Sequence, residues 1–550
     1  MKKRLISLFL AMLMLVSLCA CGGGNESSAP GTQPAKTENA ETKTEAPEPV
    51  PETRRDDMNS RIWSEVTSLD PTMNSNAYDL AIMYQIYDSF FEPIDGDYSN
   101  LKNCLVEDYT VNETATYYEF KVRPNVKWHN GDILTADDCV FSVERLRKSP
   151  VTMARISAIT EVNKIDDMTF SITCAYAMPR LCALFSTASM CVVNKKLVEQ
   201  YGDNAPETIV GTGAYKLESW NTDEIVLTAF KDGWRGDPQI QTIRYPLIVD
   251  TTAGSIAFKK GEIDQWYIGA YSELEDFKDE TQYTISPYTT GTTDSLVFNT
   301  SHTDSWVSNK TFRQAVAHAI DRELVKEIAT DNLYQLVDSI FAPGNSAYDP
   351  EWKFPYDYDP AKAKELLKEC GYDGKEVNFV YCSAYPIPTG WATTIEACLR
   401  SVGINVKMEG TDLAGAIDRF ARRDFDMACL EYAASYPDPL SSIYALFRSD
   451  GYYNAWCYSS EELDSTVLSL YGYADQAEQA KAMQGLDQWA QQECFYIPCY
   501  QVGGYAIYPA KLKSDTVAEP MFGWSHICYS RWLTDSELQE ALAEETKEAK

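Results

Sequence analysis

Histidine is almost missing from this 550-residue chain: His129, His302, His318 and His526 are scattered, without HxxH or HExxH spacing. That leaves a metal centre or a histidine-based catalytic relay without support. After residue 21 no Cys-x-x-Cys pair occurs, so the cysteine spacings give no zinc pattern. GxSxG and the phosphate-binding GxxxxGK(S/T) are absent too. Gly211 and Gly213 begin like a dinucleotide fingerprint, but Lys216 stands where the third glycine belongs and a β-like run follows instead of a helix. No catalytic set, metal site or cofactor is expected. Cationic residues are also short, 48 against 81 acidic ones, and a net charge of −33 argues against a nucleic-acid partner. Such a charge keeps a protein soluble but names no ligand.

Apolar runs long enough to span a bilayer are lacking as well. The one greasy stretch, residues 5–18, follows Lys2, Lys3 and Arg4 and leads into Leu18, Cys19, Ala20 and Cys21. A basic start, a short apolar region and a small residue before a cysteine form a lipoprotein signal. Residues 1–20 are expected to be removed and Cys21 lipidated, which places the chain outside the cytoplasm on the outer face of the membrane. From 22 to 57 the only large aliphatic residue is Val50 and there is no aromatic, so the segment cannot bury a core. It reads as a flexible tether spanning on the order of 30 to 35 Å.

Of fifteen cysteines, thirteen lie beyond Cys21, an odd number that cannot all pair. Cys139, Cys174, Cys398 and Cys429 sit inside apolar patterns, where a thiol acts as a small hydrophobe. Mostly free thiols are expected.

About 480 residues then remain, too many for a single core, so two or more lobes are expected. Residues 106–122 are β-rich and end before Pro124; Thr135 with Asp137 and Asp138 marks a helix start. Strands are expected at 225–230 and 243–249, and one amphipathic helix over 312–329. The clearest alternation is helix 359–370, strand 377–382, helix 391–402, strand 404–408, helix 413–422 and strand 425–432, an α/β unit. Ligands of such sheets sit beyond the carboxyl ends of the strands, which points at the loop 433–439.

The run YEFKVRPNVKWHNGD over 118–132, followed by LTADDCVFSVER over 134–145, resembles the signature of extracellular solute-binding family 5, the oligopeptide- and dipeptide-type receptors of ABC importers. Further matches follow in family order: SLDP at 68–71, VGTGAYKL at 210–217, GEID at 261–264, FRQA at 312–315 with AIDR at 319–322, and Ile497 with Pro498. The resemblance covers roughly 58–534.

It implies an α/β periplasmic-binding-protein-like fold of two lobes (type II, cluster C) with an extra inserted domain. Lobe I would combine 58–103, 211–298 and 505–534; the extra domain would be 104–210, lobe II 299–504, and 535–550 a tail. Trp128, His129 and Gly131 are expected to shape a turn and not a site. By the same resemblance, ligand contacts fall on Asp294, Ser295 and Leu296, and on Tyr432, Ala433, Ala434, Ser435, Tyr436 and Asp438, where exposed backbone could pair with an extended peptide. One departure stands out. Peptide binders of the family place an aspartate for the ligand's α-ammonium where this chain has Ser435, leaving Asp438 or Asp294 as substitutes, or a blocked peptide, glycoside or metal chelate as ligand. The implied partners are a small solute or peptide, the permease subunits of an ABC transporter and the membrane through its lipid, with the chain a monomer. A signal receptor on the same fold and a tethered hydrolase are the competing readings; the second lacks a visible catalytic set.

Overall fold

A computed structural model describes residues 54–548, except 74–76, 95–96, 150–151, 154, 270, 384–385, 434–438, 452–453, 455, 474 and 515–525. Three sheets organise these residues. The first places Asp57–Asn59 parallel to Thr242–Pro246, followed by Glu224–Ala229 and Tyr215–Trp220. The second is an antiparallel sheet of Val106–Val111, Tyr117–Val122, Thr169–Cys174 and Ile159–Asp166, with its own core around Phe90, Trp128, Phe120 and Phe170. The third has seven strands. Val377–Cys382 lies parallel to both Val406–Thr411 and Met427–Ala433, and Tyr283–Phe298 and Tyr496–Pro509 continue it in antiparallel fashion. Separate apolar clusters cover its two faces: Leu296, Phe298, Val377 and Phe379 point to one, Val297, Val380 and Ala428 to the other. Covering both faces buries the parallel strands, as their continuous apolar runs require.

Two long strands tie this sheet to the rest. Residues 283–289 pair with 503–509 beside a cluster that includes Trp266 and Phe277; the register then shifts, and 293–297 pair with 496–501 within the large sheet. At that shift Gly503 lies so close that a Cβ would come within 2.8 Å of the Tyr288 carbonyl oxygen. A side chain there would push the crossing strands apart.

The signature blocks prove to be clasps between distant segments. Arg145 reaches Asp70 at 2.7 Å. Asp264 accepts from Arg55 at 2.5 and 2.7 Å and from the Asn59 N–H at 2.7 Å. Buried Arg313 donates to the carbonyls of Val307, Ser308, Glu493 and Cys494, locking the turn that leads into Ile497. His129 sits against Gly211 and Gly213, whose Cβ atoms would strike the backbone around Ile86 at 1.8 and 2.5 Å. Those glycines are needed for close packing, not for a phosphate.

Two expected elements differ. The β-rich 106–122 is a hairpin: Asn112 accepts from the N–H groups of Thr116 and Tyr117, and Ala115 turns the chain with φ of 50°. The 312–329 helix is two, Lys310–Ala319 and Arg322–Thr330, because Asp321 caps the second by accepting from the Leu324 N–H. Among the described residues all thirteen cysteines are free.

Candidate solute-binding site

Cys21, Ala434, Ser435, Tyr436 and Asp438 lie outside the described residues, and Ala433 is placed by its backbone opposite Thr292. Ser295 and Leu296 are fully buried in the sheet. Tyr432 is buried too, within the apolar cluster that includes Val297 and Tyr496. The 293–297 backbone pairs on one side with 428–432 and on the other with 496–501. It therefore has no free edge for an added peptide strand, and the expectation of strand addition there fails.

What the sheet does bring together is an acidic pair. Asp294 stands directly opposite Glu431 on one neighbouring strand and Tyr500 on the other, so the three side chains share a face. That position lies at the carboxyl end of Met427–Ala433, the end where open α/β sheets hold ligands. Asp294 is only 6% exposed, whereas Glu431 is exposed to solvent, so the pair runs from the sheet interior to the surface. Burial and the neighbouring Glu431 charge push the Asp294 carboxyl well above its ordinary range, and burial raises Glu431 as well. Among the described residues no lysine, arginine or histidine pairs with either carboxylate. The Tyr500 hydroxyl lies near enough to ease the Asp294 charge slightly, yet it is buried without a hydrogen bond of normal geometry.

Aromatic faces continue from this pair. The Tyr334 ring lies 5.4 Å from that of Tyr500, tilted by 59°, and its hydroxyl is raised by burial and then by Asp294, Tyr288 and Glu431. Tyr288 meets Tyr267 edge-on at 5.3 Å, and Tyr267 meets the 40% exposed Trp63 at 5.7 Å. Tyr334, Tyr288 and Tyr267 are each only partly buried. This row passes from the first and crossing segments to the seven-stranded sheet, presenting large apolar faces with polar tips.

Asp294 was among the residues expected from the sequence; Glu431, Tyr500 and the tyrosine row beside it were not. The available signal was alternation: Met427, Cys429 and Glu431 share a face, and a carboxylate that continues an apolar stripe marks where that face reaches solvent.

Each histidine is accounted for within the protein. His129 holds Gly211 and Gly213, His302 meets Asp426 at 3.1 Å, His318 meets the Asp357 carbonyl at 2.7 Å, and His526 lies in a buried ion cluster with Arg235 and Glu92. Among the described residues no three His, Cys, Asp or Glu side chains gather as a metal set, and no helix there is long and apolar enough to cross a membrane.

The chain is similar to the glutathione-binding protein GsiB of Escherichia coli K12, 23% identical over 467 residues that cover 80% of this chain and 87% of that one. Its fold matches the ABC transporter substrate-binding protein CtaP of Listeria monocytogenes, with TM-score 0.78, 21% identity and coverage of 87% and 100%. It also matches the periplasmic binding protein DppA of Helicobacter pylori in complex with the peptide STSA, with TM-score 0.75, 20% identity and coverage of 87% and 98%. These likenesses establish the type II periplasmic-binding-protein fold. The model for bacterial extracellular solute-binding proteins, family 5, matches residues 100–454, and the chain belongs to that family.

Proposed function

We propose that this chain is a lipid-anchored receptor that captures a small solute, peptides foremost, and delivers it to the permease of an ABC transporter. The observation that carries this reading is the acid pair at the carboxyl end of the seven-stranded sheet, beside an aromatic row, in a family 5 chain. Relatives described as binding glutathione or a short peptide support the peptide class. No role in bond-breaking is required: a ligand that touches both ends of the row binds the closed arrangement better and so shifts the population towards it. Residues 58–103, 211–298 and 505–534 would form one lobe and 299–504 the other, with 104–210 as the added domain. Asp294 and the loop from Tyr432 to Asp438 would contact the solute.

Native mass spectrometry of protein purified from its own host tests the reading, with a retained small molecule expected. Small-angle scattering before and after its removal should show a larger radius for the empty protein; an unchanged radius speaks against closure. For the anchor, Cys21→Ser should release the protein from membranes into the soluble fraction, and continued membrane association would refute it.

A further inference from the structure

The Asp294–Glu431 pair has no obvious structural task. Elsewhere in the protein, buried acids are matched: Asp88 and Glu92 hold Arg235 at 2.7 and 2.9 Å, Asp70 holds Arg145, and Asp487 accepts from Ser339 and Gln491. Asp294 and Glu431 instead face each other across adjacent strands, and like charges directly opposite destabilise a sheet. A second feature of the same face is equally unresolved: the Tyr500 hydroxyl, on a residue with no exposed surface, has only Asp294 nearby and makes no hydrogen bond of normal geometry. An unmatched carboxylate pair and an idle hydroxyl, open to solvent through Glu431, form a half-site that a cation would complete.

Resting on the solute-receptor reading above, the geometry points to a solute carrying a positively charged nitrogen, seated against Asp294 and Glu431 with the faces of Tyr334 and Tyr288 beside it. The aromatic row suits that class, since a cation lying over a ring gains further attraction once it leaves water. The charge would be read from the sheet itself. This gives the serine at 435 a rationale: the countercharge for the solute has moved onto the strand ends.

Two sources could supply the nitrogen, an α-ammonium or a cationic side group, and matched probes separate them. Calorimetry would use Ala-norleucine-Ala amide (α-ammonium only), N-acetyl-Ala-Lys-Ala amide (side-chain cation only) and N-acetyl-Ala-norleucine-Ala amide (no charge). Choline against 3,3-dimethyl-1-butanol extends the comparison to non-peptides. At least one cationic probe should bind about tenfold or more tighter than its neutral partner, and D294N and E431Q should each abolish that preference. The unliganded D294N protein should melt at the same temperature as the parent or higher, because a buried like charge is lost; a clear drop would mark Asp294 as structural and overturn the proposal. Equal binding of neutral and cationic probes, or a preference that survives both substitutions, overturns the charge reading while the receptor reading stands. If no probe binds, the retained molecule seen by native mass spectrometry decides: a cation supports the proposal, and a neutral or anionic one refutes it alone. With neither a retained molecule nor a binding probe, both readings fall.

Discussion

Acidification should weaken this protein through His129 well before its carboxylates are neutralised. The ring Nδ1 accepts the Gly211 N–H at 3.2 Å and Nε2 donates to the Gly213 carbonyl at 2.9 Å. This fixes a neutral tautomer, since a proton on Nδ1 would face another N–H. Burial, chiefly, drives the pKa down from 6.5 to about 4. The sign follows from linkage: between those values the unfolded chain binds a proton that the folded one refuses, so stability falls as pH falls through 6.5 towards 4 and levels off below. From pH 7 to pH 5 the loss comes to about 2 kcal/mol for this ring, at roughly 1.4 kcal/mol per pH unit below 6.5. Buried His526, also held near 4, adds a similar slope, whereas Asp487, raised to about 6, acts in the opposite sense. Comparing H129Q with the parent cancels both. Urea denaturation of the two proteins at pH 7, 6 and 5 should show the parent losing about 2 kcal/mol more than H129Q over that range. Parallel losses would mean that the ring is protonated in the fold and that the two-bond reading of its tautomer is wrong.

Arg235→Met should cost about 3 to 5 kcal/mol, because buried Asp88 loses its only cationic partner, keeping just the Thr212 and Trp234 donors, while Glu92 is left with Lys102 and the Tyr529 hydroxyl loses the guanidinium 2.7 Å away; denaturant melts would show it, and a change under 1 kcal/mol would contradict the cluster's role. The same cluster holds Glu92 at about 2, below its ordinary 4.5, mainly against burial through the His526 and Arg235 charges; its contribution is present above 4.5 and is lost as pH falls towards 2. Gly211→Ala should cost on the order of 3 kcal/mol or more, since the new Cβ would come 1.8 Å from the Ile86 carbonyl oxygen. Soluble, parent-like protein from that variant would refute the close-packing account of the VGTGAY block. If a cation docks on Asp294 and Glu431, whose carboxyls sit above their ordinary range, binding should expel protons and tighten as pH rises. Calorimetry in two buffers of different ionisation enthalpy reads this directly. The titratable neighbours to be considered are Tyr500, Tyr334, Tyr288, Cys429 and Cys499, all tyrosines or thiols that stay neutral near pH 7.

Much of the architecture was legible because it rests on local periodicity. The 377–382 strand was placed to the residue, and the 413–422 helix and the 425–432 strand to within about two, since each carries its own alternation or apolar stripe. Where a polar side chain turns inward to serve the backbone, periodicity misleads. Asn112 folds a strand into a hairpin and Asp321 divides a helix, and neither event disturbs the apolar pattern enough to announce itself.

The candidate site was harder to see, because it depends on register across three strands whose members lie 69 to 206 residues apart in the chain. Asp294 was named from its segment; nothing local ties it to Glu431 or Tyr500. The blocks that identify the family lie elsewhere, in the clasps Asp70 with Arg145, His129 with Gly211 and Gly213, and Arg313 with the 493–494 carbonyls. Those contacts satisfy buried polar groups between distant segments, so any receptor on this scaffold needs them whatever it carries. A solute-reading position is under the opposite demand: before the solute arrives it must leave a charge or a hydroxyl unsatisfied. An unmatched pair such as Asp294 with Glu431 destabilises the empty protein, and that same cost is returned as affinity when a ligand of opposite charge enters. In this chain the clasps among the family blocks have their charges and carbonyls matched, while Asp294 and Glu431, the candidates for choosing the cargo, face no cation among the described residues.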